Sequence, residues 1–208
     1  MDQIRTNARH AGLLYLMLAI VAPFSLSYVP ALLAEAGGVS ATTVAMNATL
    51  LRLSLASELF YQVLEIFIVL ALFELFRGAQ RKLALQMLVL GLLPIPIVFL
   101  NQLPAFGAIV AATAQGPLAT MAPAARDAAV VFLYDLHRLG LVLAGIFWGL
   151  WLIPLGRLII TSNFLPSLLG WSVIVGGLGY VLRAIAVLVL PPFLAARRCM
   201  RSCKRLRS

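Results

Sequence analysis

The chain has 208 residues, of which 62% are hydrophobic and only 11% charged, and no soluble core of this length could hide so much apolar surface. The net charge of +9 does not point to nucleic acid, because Arg197, Arg198, Arg201, Lys204, Arg205 and Arg207 crowd into the last stretch and leave about +3 for the rest. Such a tail beside a membrane attracts anionic lipid headgroups.

Five apolar runs, at residues 12–29, 53–76, 83–103, 128–155 and 164–190, are each about long enough to cross the roughly 30 Å hydrocarbon core of a bilayer. Backbone polar groups in lipid must be paired within their own segment, and no alternating strands of about ten residues occur, so a barrel is excluded. The expected fold is an all-α, polytopic transmembrane bundle of five spanning helices, with residues 1–196 as the membrane domain and 197–208 as a basic tail. The bilayer is the first expected partner.

The first run is too long for the apolar part of a signal peptide, and no small-residue cleavage site follows it, so it is expected to remain as a helix. Arg5 and Arg9 precede it, Arg77, Arg81 and Lys82 fill the connection between runs two and three, and Arg157 follows run four. Residues 30–49 hold no basic residue, and residues 104–127 hold only Arg126, offset by Asp127. The positive-inside bias therefore predicts a multi-pass protein of the inner (plasma) membrane with a cytoplasmic N-terminus. A topology reporter fused after Lys82 should read cytoplasmic and one within residues 110–120 external; the reverse pattern overturns this orientation. Five crossings from an inside start place the basic tail outside, against the same bias.

Run two carries Glu58, Gln62 and Glu65 at spacings of four and three, which puts them on one helical face. In run three, Pro94 and Pro96 predict a kink, and Asn101 and Gln102 follow it. Residues 104–125, broken by Pro104, Gly116, Pro117 and Pro123, read as a surface helix or partly buried loop. Run four contributes Asp135, His137 and Arg138, and run five Arg183. With alternating helix directions, Glu58, Asn101, Asp135, Arg138 and Arg183 fall in the same half of the membrane and predict one polar layer. Glu58 and Asp135 are then available to Arg138 and Arg183, with Glu58 to Arg138 as the expected pair; Gln62, Asn101 and His137 complete hydrogen bonds, while Glu65 sits deeper without an evident partner.

Catalytic chemistry fails on inventory. His10 and His137 are the only histidines, so a three-histidine metal site cannot be built within one subunit, and Cys199 and Cys203 lie in the tail without a second pair. No G-x-S-x-G, H-E-x-x-H or phosphate-loop motif occurs, and Asp135 and His137, two apart on a helix, face different ways. No catalytic residue, metal or cofactor is expected. Gly145, Gly149, Gly176, Gly177 and Gly179 provide smooth helix surfaces for close approach, against which Trp148 and Trp151 read as core aromatics.

Residues 136–182, LHRLGLVLAGIFWGLWLIPLGRLIITSNFLPSLLGWSVIVGGLGYVL, resemble the signature region of the bacterial integral-membrane proteins grouped as domain-of-unknown-function 4386, and RTNARHAGLLYL at residues 5–16 resembles its opening. The IFWGLWLIPLG block is the most specific part. The resemblance implies no activity, substrate or cofactor. It does imply a further hydrophobic helix past Pro191 and Pro192, which this sequence lacks, and an aspartate where Arg183 stands. Two functional readings follow: a non-enzymatic protein with a packing or assembly role in the envelope, as a homo-oligomer or with a membrane partner, or a transporter or small-molecule binder using the polar layer.

Overall fold

The computed structural model describes residues 2–114, 116–162 and 165–189. The basic tail, both cysteines and Pro191–Pro192 lie outside the described residues. Five helical spans are long and apolar enough to cross a membrane: Ala8–Glu35, Ala48–Phe76, Arg81–Ala112, Pro123–Thr161 and Ser167–Val189. The shortest has 23 residues, about 34 Å at about 1.5 Å per residue, which still exceeds the hydrocarbon core. No strand occurs among the described residues.

Span one is built from α1 (Asp2–Pro23), a π-helical turn at Phe24–Tyr28 and α2 (Val29–Glu35). Pro23 and Pro30 bracket the turn, each withholding an amide from the hydrogen-bond ladder, and the Val29 N–H reaches back five residues to the Phe24 carbonyl. A short α3 (Ala41–Met46) follows, capped by the Ser40 hydroxyl on the Thr43 N–H. Asp127 Oδ1 accepts from the Ala41 N–H at 2.6 Å and ties this connection to the fourth span. Span two is α4 (Ala48–Phe76), and Arg52, exposed near its start, adds one basic charge beside the otherwise base-free connection.

Span three divides into α5 (Arg81–Leu92) and α6 (Pro94–Ala112). The break at Leu93 follows from Pro94 and Pro96, neither of which can donate to the preceding turn, although Leu93 keeps helical dihedrals of −60° and −41°. The expectation for residues 104–125 is corrected in part. α6 runs through Pro104 to Ala112, because one missing donor does not end a helix whose other face is held by neighbours, and a 3-10 turn at Gly116–Thr120 makes the connection. α7 (Pro123–Thr161) and α8 (Ser167–Val189) complete the bundle.

The α7–α8 contact is backbone on backbone. A Cβ placed on Gly149 would lie 2.5 Å from the Gly177 carbonyl oxygen, and one on Gly156 would lie 2.5 Å from that of Gly170. Only glycine permits this antiparallel register. Gly145 meets nothing closer than Tyr180 at 3.8 Å, and Gly176 and Gly179 face open space. The expected glycine packing thus falls on Gly149 and Gly177, joined by Gly156 and Gly170.

Two apolar clusters bracket the bundle interior. Near one end Ile68, Leu72, Phe76, Met87, Trp151 and Leu158 pack together, and near the other Val29, Leu33, Val44, Leu51, Ile109 and Val130 do so. The polar residues of α4, α6 and α7 lie between them.

Candidate functional site

On α4 the residues Glu58, Tyr61, Gln62 and Glu65 fall at i, i+3, i+4 and i+7, a single stripe, and all four are buried. Gln62 sits midway along the helix, with Glu58 four residues toward Ala48 and Glu65 three toward Phe76. Opposite Glu58, α6 contributes Asn101 and Gln102, and α7 contributes His137, all buried as well.

The Glu58 carboxyl is the hub. Gln102 donates from Nε2 to Glu58 Oε2 at 2.9 Å, and His137 Nε2 stands 3.7 Å from the same oxygen. Asn101 fixes the histidine: its Nδ2 donates to the His137 carbonyl at 2.8 Å, and His137 Nδ1 lies 2.9 Å from the Asn101 carbonyl. Asn101 Nδ2 also stands 3.2 Å from Nδ1, so the tautomer sets whether Nδ1 donates to the carbonyl or accepts from the amide, and Nε2 is the atom presented to Glu58. Gly140 makes this fit possible, because a Cβ there would overlap the Asn101 amide.

Below this cluster the column continues. The Glu65 carboxyl lies against the Trp148 indole and the Gln62 amide, which corrects the expectation that it lacks a neighbour. Tyr15 of α1 lies within electrostatic range of Glu65, Tyr61 of both carboxyls, and Tyr134 of Arg138 and Glu58. Four buried atoms in this column have no hydrogen-bond partner among the described residues: Tyr61 Oη, Gln62 Oε1, Gln62 Nε2 and Gln102 Oε1. The Gln62 amide therefore adjoins Glu65 at a geometry short of a hydrogen bond. Orphaned groups at this depth are costly unless something else satisfies them.

The expected layer is split by orientation around the helix. Arg138 does not pair with Glu58. One step beyond His137 it points away from the bundle, with its side chain 62% exposed, and pairs along its own helix with Asp135 at 3.8 Å. Arg183 is exposed on α8, and no acid of the described residues forms an ion pair with it. Equal depth placed these residues together, but the helical angle decides contact. Asp135, Arg138 and Arg183 therefore stand apart from the buried polar column, which holds Glu58, Gln62, Glu65, Asn101, Gln102 and His137.

Toward one end of the bundle the column is followed by the apolar cluster of Val29, Leu33, Val44, Leu51 and Val130. A small hollow lies between α7 and α8, lined by Leu141, Val142, Gly145, Trp148, Tyr180 and Arg183. Trp148 is shared between this hollow and the buried column, where it adjoins Glu65. Sequence reasoning missed Tyr61, Tyr180 and the Trp148–Glu65 contact; Tyr61 was visible in the i, i+3 spacing from Glu58. Among the described residues no cluster of three or more His, Cys, Asp or Glu could hold a metal ion.

Residues 10–198 match the family described as a domain of unknown function, DUF4386. The chain belongs to this family. No curated protein and no solved structure matches it. Membership in DUF4386 assigns no role to the polar column, so its chemistry rests on the residues themselves.

Proposed function

We propose that this DUF4386 chain is a non-enzymatic, proton-handling protein of the bacterial inner membrane, with a cytoplasmic N-terminus, in which Glu58, His137 and Glu65 exchange protons in transporter-like fashion. The observation that carries this reading is the buried pair of carboxyls with orphaned polar atoms between them. A column that served packing alone gains nothing from leaving Tyr61 and Gln62 unsatisfied, whereas a path for protons and water needs hydrogen-bonding groups with spare capacity.

The sign of the site agrees. It gathers two carboxyls and one imidazole, while Arg52, Arg77, Arg81, Lys82, Arg138, Arg157 and Arg183 lie on exposed faces and the half-buried Arg126 sits apart, at the start of α7. Such an interior favours a cation. The orphaned atoms are hydrogen-bonding groups that suit a proton carried with water. The competing reading, a packing or assembly role, draws on the exposed α8 face that carries Arg183 with Gly176 and Gly179.

Proteoliposomes holding a pH-sensitive dye, driven by a potassium diffusion potential, test the proposal. The wild-type chain should change the internal pH faster than empty vesicles, and Glu58→Gln with Glu65→Gln should return the rate to that of empty vesicles. Equal rates for wild type and the double variant overturn it.

A further inference from the structure

The strongest unassigned feature outside the polar column is a broad, shallow hollow lined by Gln80, Arg81, Lys82, Leu83, Gln86 and Arg157. It lies where α5 begins and α7 nears its end, at the edge of the bundle. We propose that this hollow binds a phosphate group, supplied by an anionic lipid headgroup or by free phosphate.

The charge placement is the first argument. Arg81 and Lys82 occupy the first two positions of α5, with no acidic residue in its first turn. A helix N-terminus already carries partial positive charge, so two cations there are unfavourable unless an anion offsets them. Gln80 provides no side-chain cap, which leaves the first amides of α5 without a partner from that residue. Arg157 arrives from a different helix and adds a planar fork of donors suited to phosphate oxygens.

The second argument is that nothing in the described protein answers these charges. Glu74, the acid nearest in sequence, is held by Arg77 at 2.8 Å. Arg81, Lys82 and Arg157 are all exposed, and no acid of the described residues forms an ion pair with them. Three cations from two helices facing one concavity, with amide donors at its wall, form a complementary surface for a phosphate and a poor one for a neutral headgroup. The end of a membrane-spanning helix is also where lipid phosphates lie.

The test uses the full-length chain, purified in detergent. Native mass spectrometry compares retention of phosphatidylglycerol and phosphatidylcholine by the wild type, by an Arg81→Gln, Lys82→Gln, Arg157→Gln variant, and by a variant with the six basic tail residues changed to glutamine. The wild type should prefer phosphatidylglycerol, the hollow variant should lose that preference by on the order of tenfold, and the tail variant should keep most of it. A parallel arm measures thermal stability with inorganic phosphate alone. Stabilisation of the wild type but not of the hollow variant assigns free phosphate as a source, and lipid preference without it assigns the headgroup. The proposal is overturned if the hollow variant, shown to be folded by its helical circular dichroism, matches the wild type in both arms, or if only the tail variant loses the preference.

Discussion

Replacing Gly149 or Gly156 with alanine is expected to destabilise the folded protein by about 1–3 kcal/mol each, whereas the same change at Gly176 or Gly179 is expected to be neutral or slightly stabilising. The contrast comes from what a methyl group meets. At Gly149 and Gly156 it would lie 2.5 Å from a backbone carbonyl of α8, and a backbone atom cannot rotate aside. At Gly176 and Gly179 it would project into open space and would only remove glycine's conformational freedom. Unfolding in mixed micelles, followed by loss of helical signal against denaturing detergent, checks all four variants. Equal behaviour of the two sets would mean that the α7–α8 register is misplaced.

Glu58→Ala should cost about 1–3 kcal/mol, because it strips the acceptor from Gln102 Nε2 and from His137 while both remain buried. Glu58→Gln keeps the shape and part of the hydrogen bonding and should cost less. Arg138→Ala, at an exposed position, should stay within about 0.5 kcal/mol. A double-mutant cycle between Glu58 and His137 should give a coupling of about 0.5–2 kcal/mol, within the range of hydrogen bonds between membrane helices, and a cycle between Glu58 and Arg138 should give none. Coupling to Arg138 in place of His137 would restore the pairing expected from depth alone.

That last comparison shows where the sequence was legible and where it was not. The five spans could be read because apolar runs of the right length have few other uses, and the resemblance in residues 136–182 led to the right family. The face formed by Glu58, Gln62 and Glu65 was equally readable, since spacings of four and three fix it within a single helix. Which residues meet across helices was not, because that depends on how each helix is rotated, and glycine positions settle the rotation only once the partner is known. His137 and Arg138 are adjacent in sequence, yet about 100° of helical turn sends one into the bundle and the other out of it.

The prolines were read with partial success for a similar reason. Pro94 and Pro96 break span three, but Pro104 does not end it, since a helix held on its other faces survives one lost donor. The course of span one through a π-helical turn was not anticipated, although Pro23 and Pro30 marked both of its ends.

The most direct measurement for the central claim is infrared difference spectroscopy of the chain in lipid as pH is varied, comparing wild type with the Glu58→Gln, Glu65→Gln variant. Carboxyls outside the column are common to both proteins and cancel in the comparison. A protonated-carboxyl band, reversible with pH, is expected in the wild type, absent from the double variant, and accompanied by imidazole bands that disappear in His137→Leu. Identical carboxyl spectra for wild type and the double variant at every pH would contradict that claim.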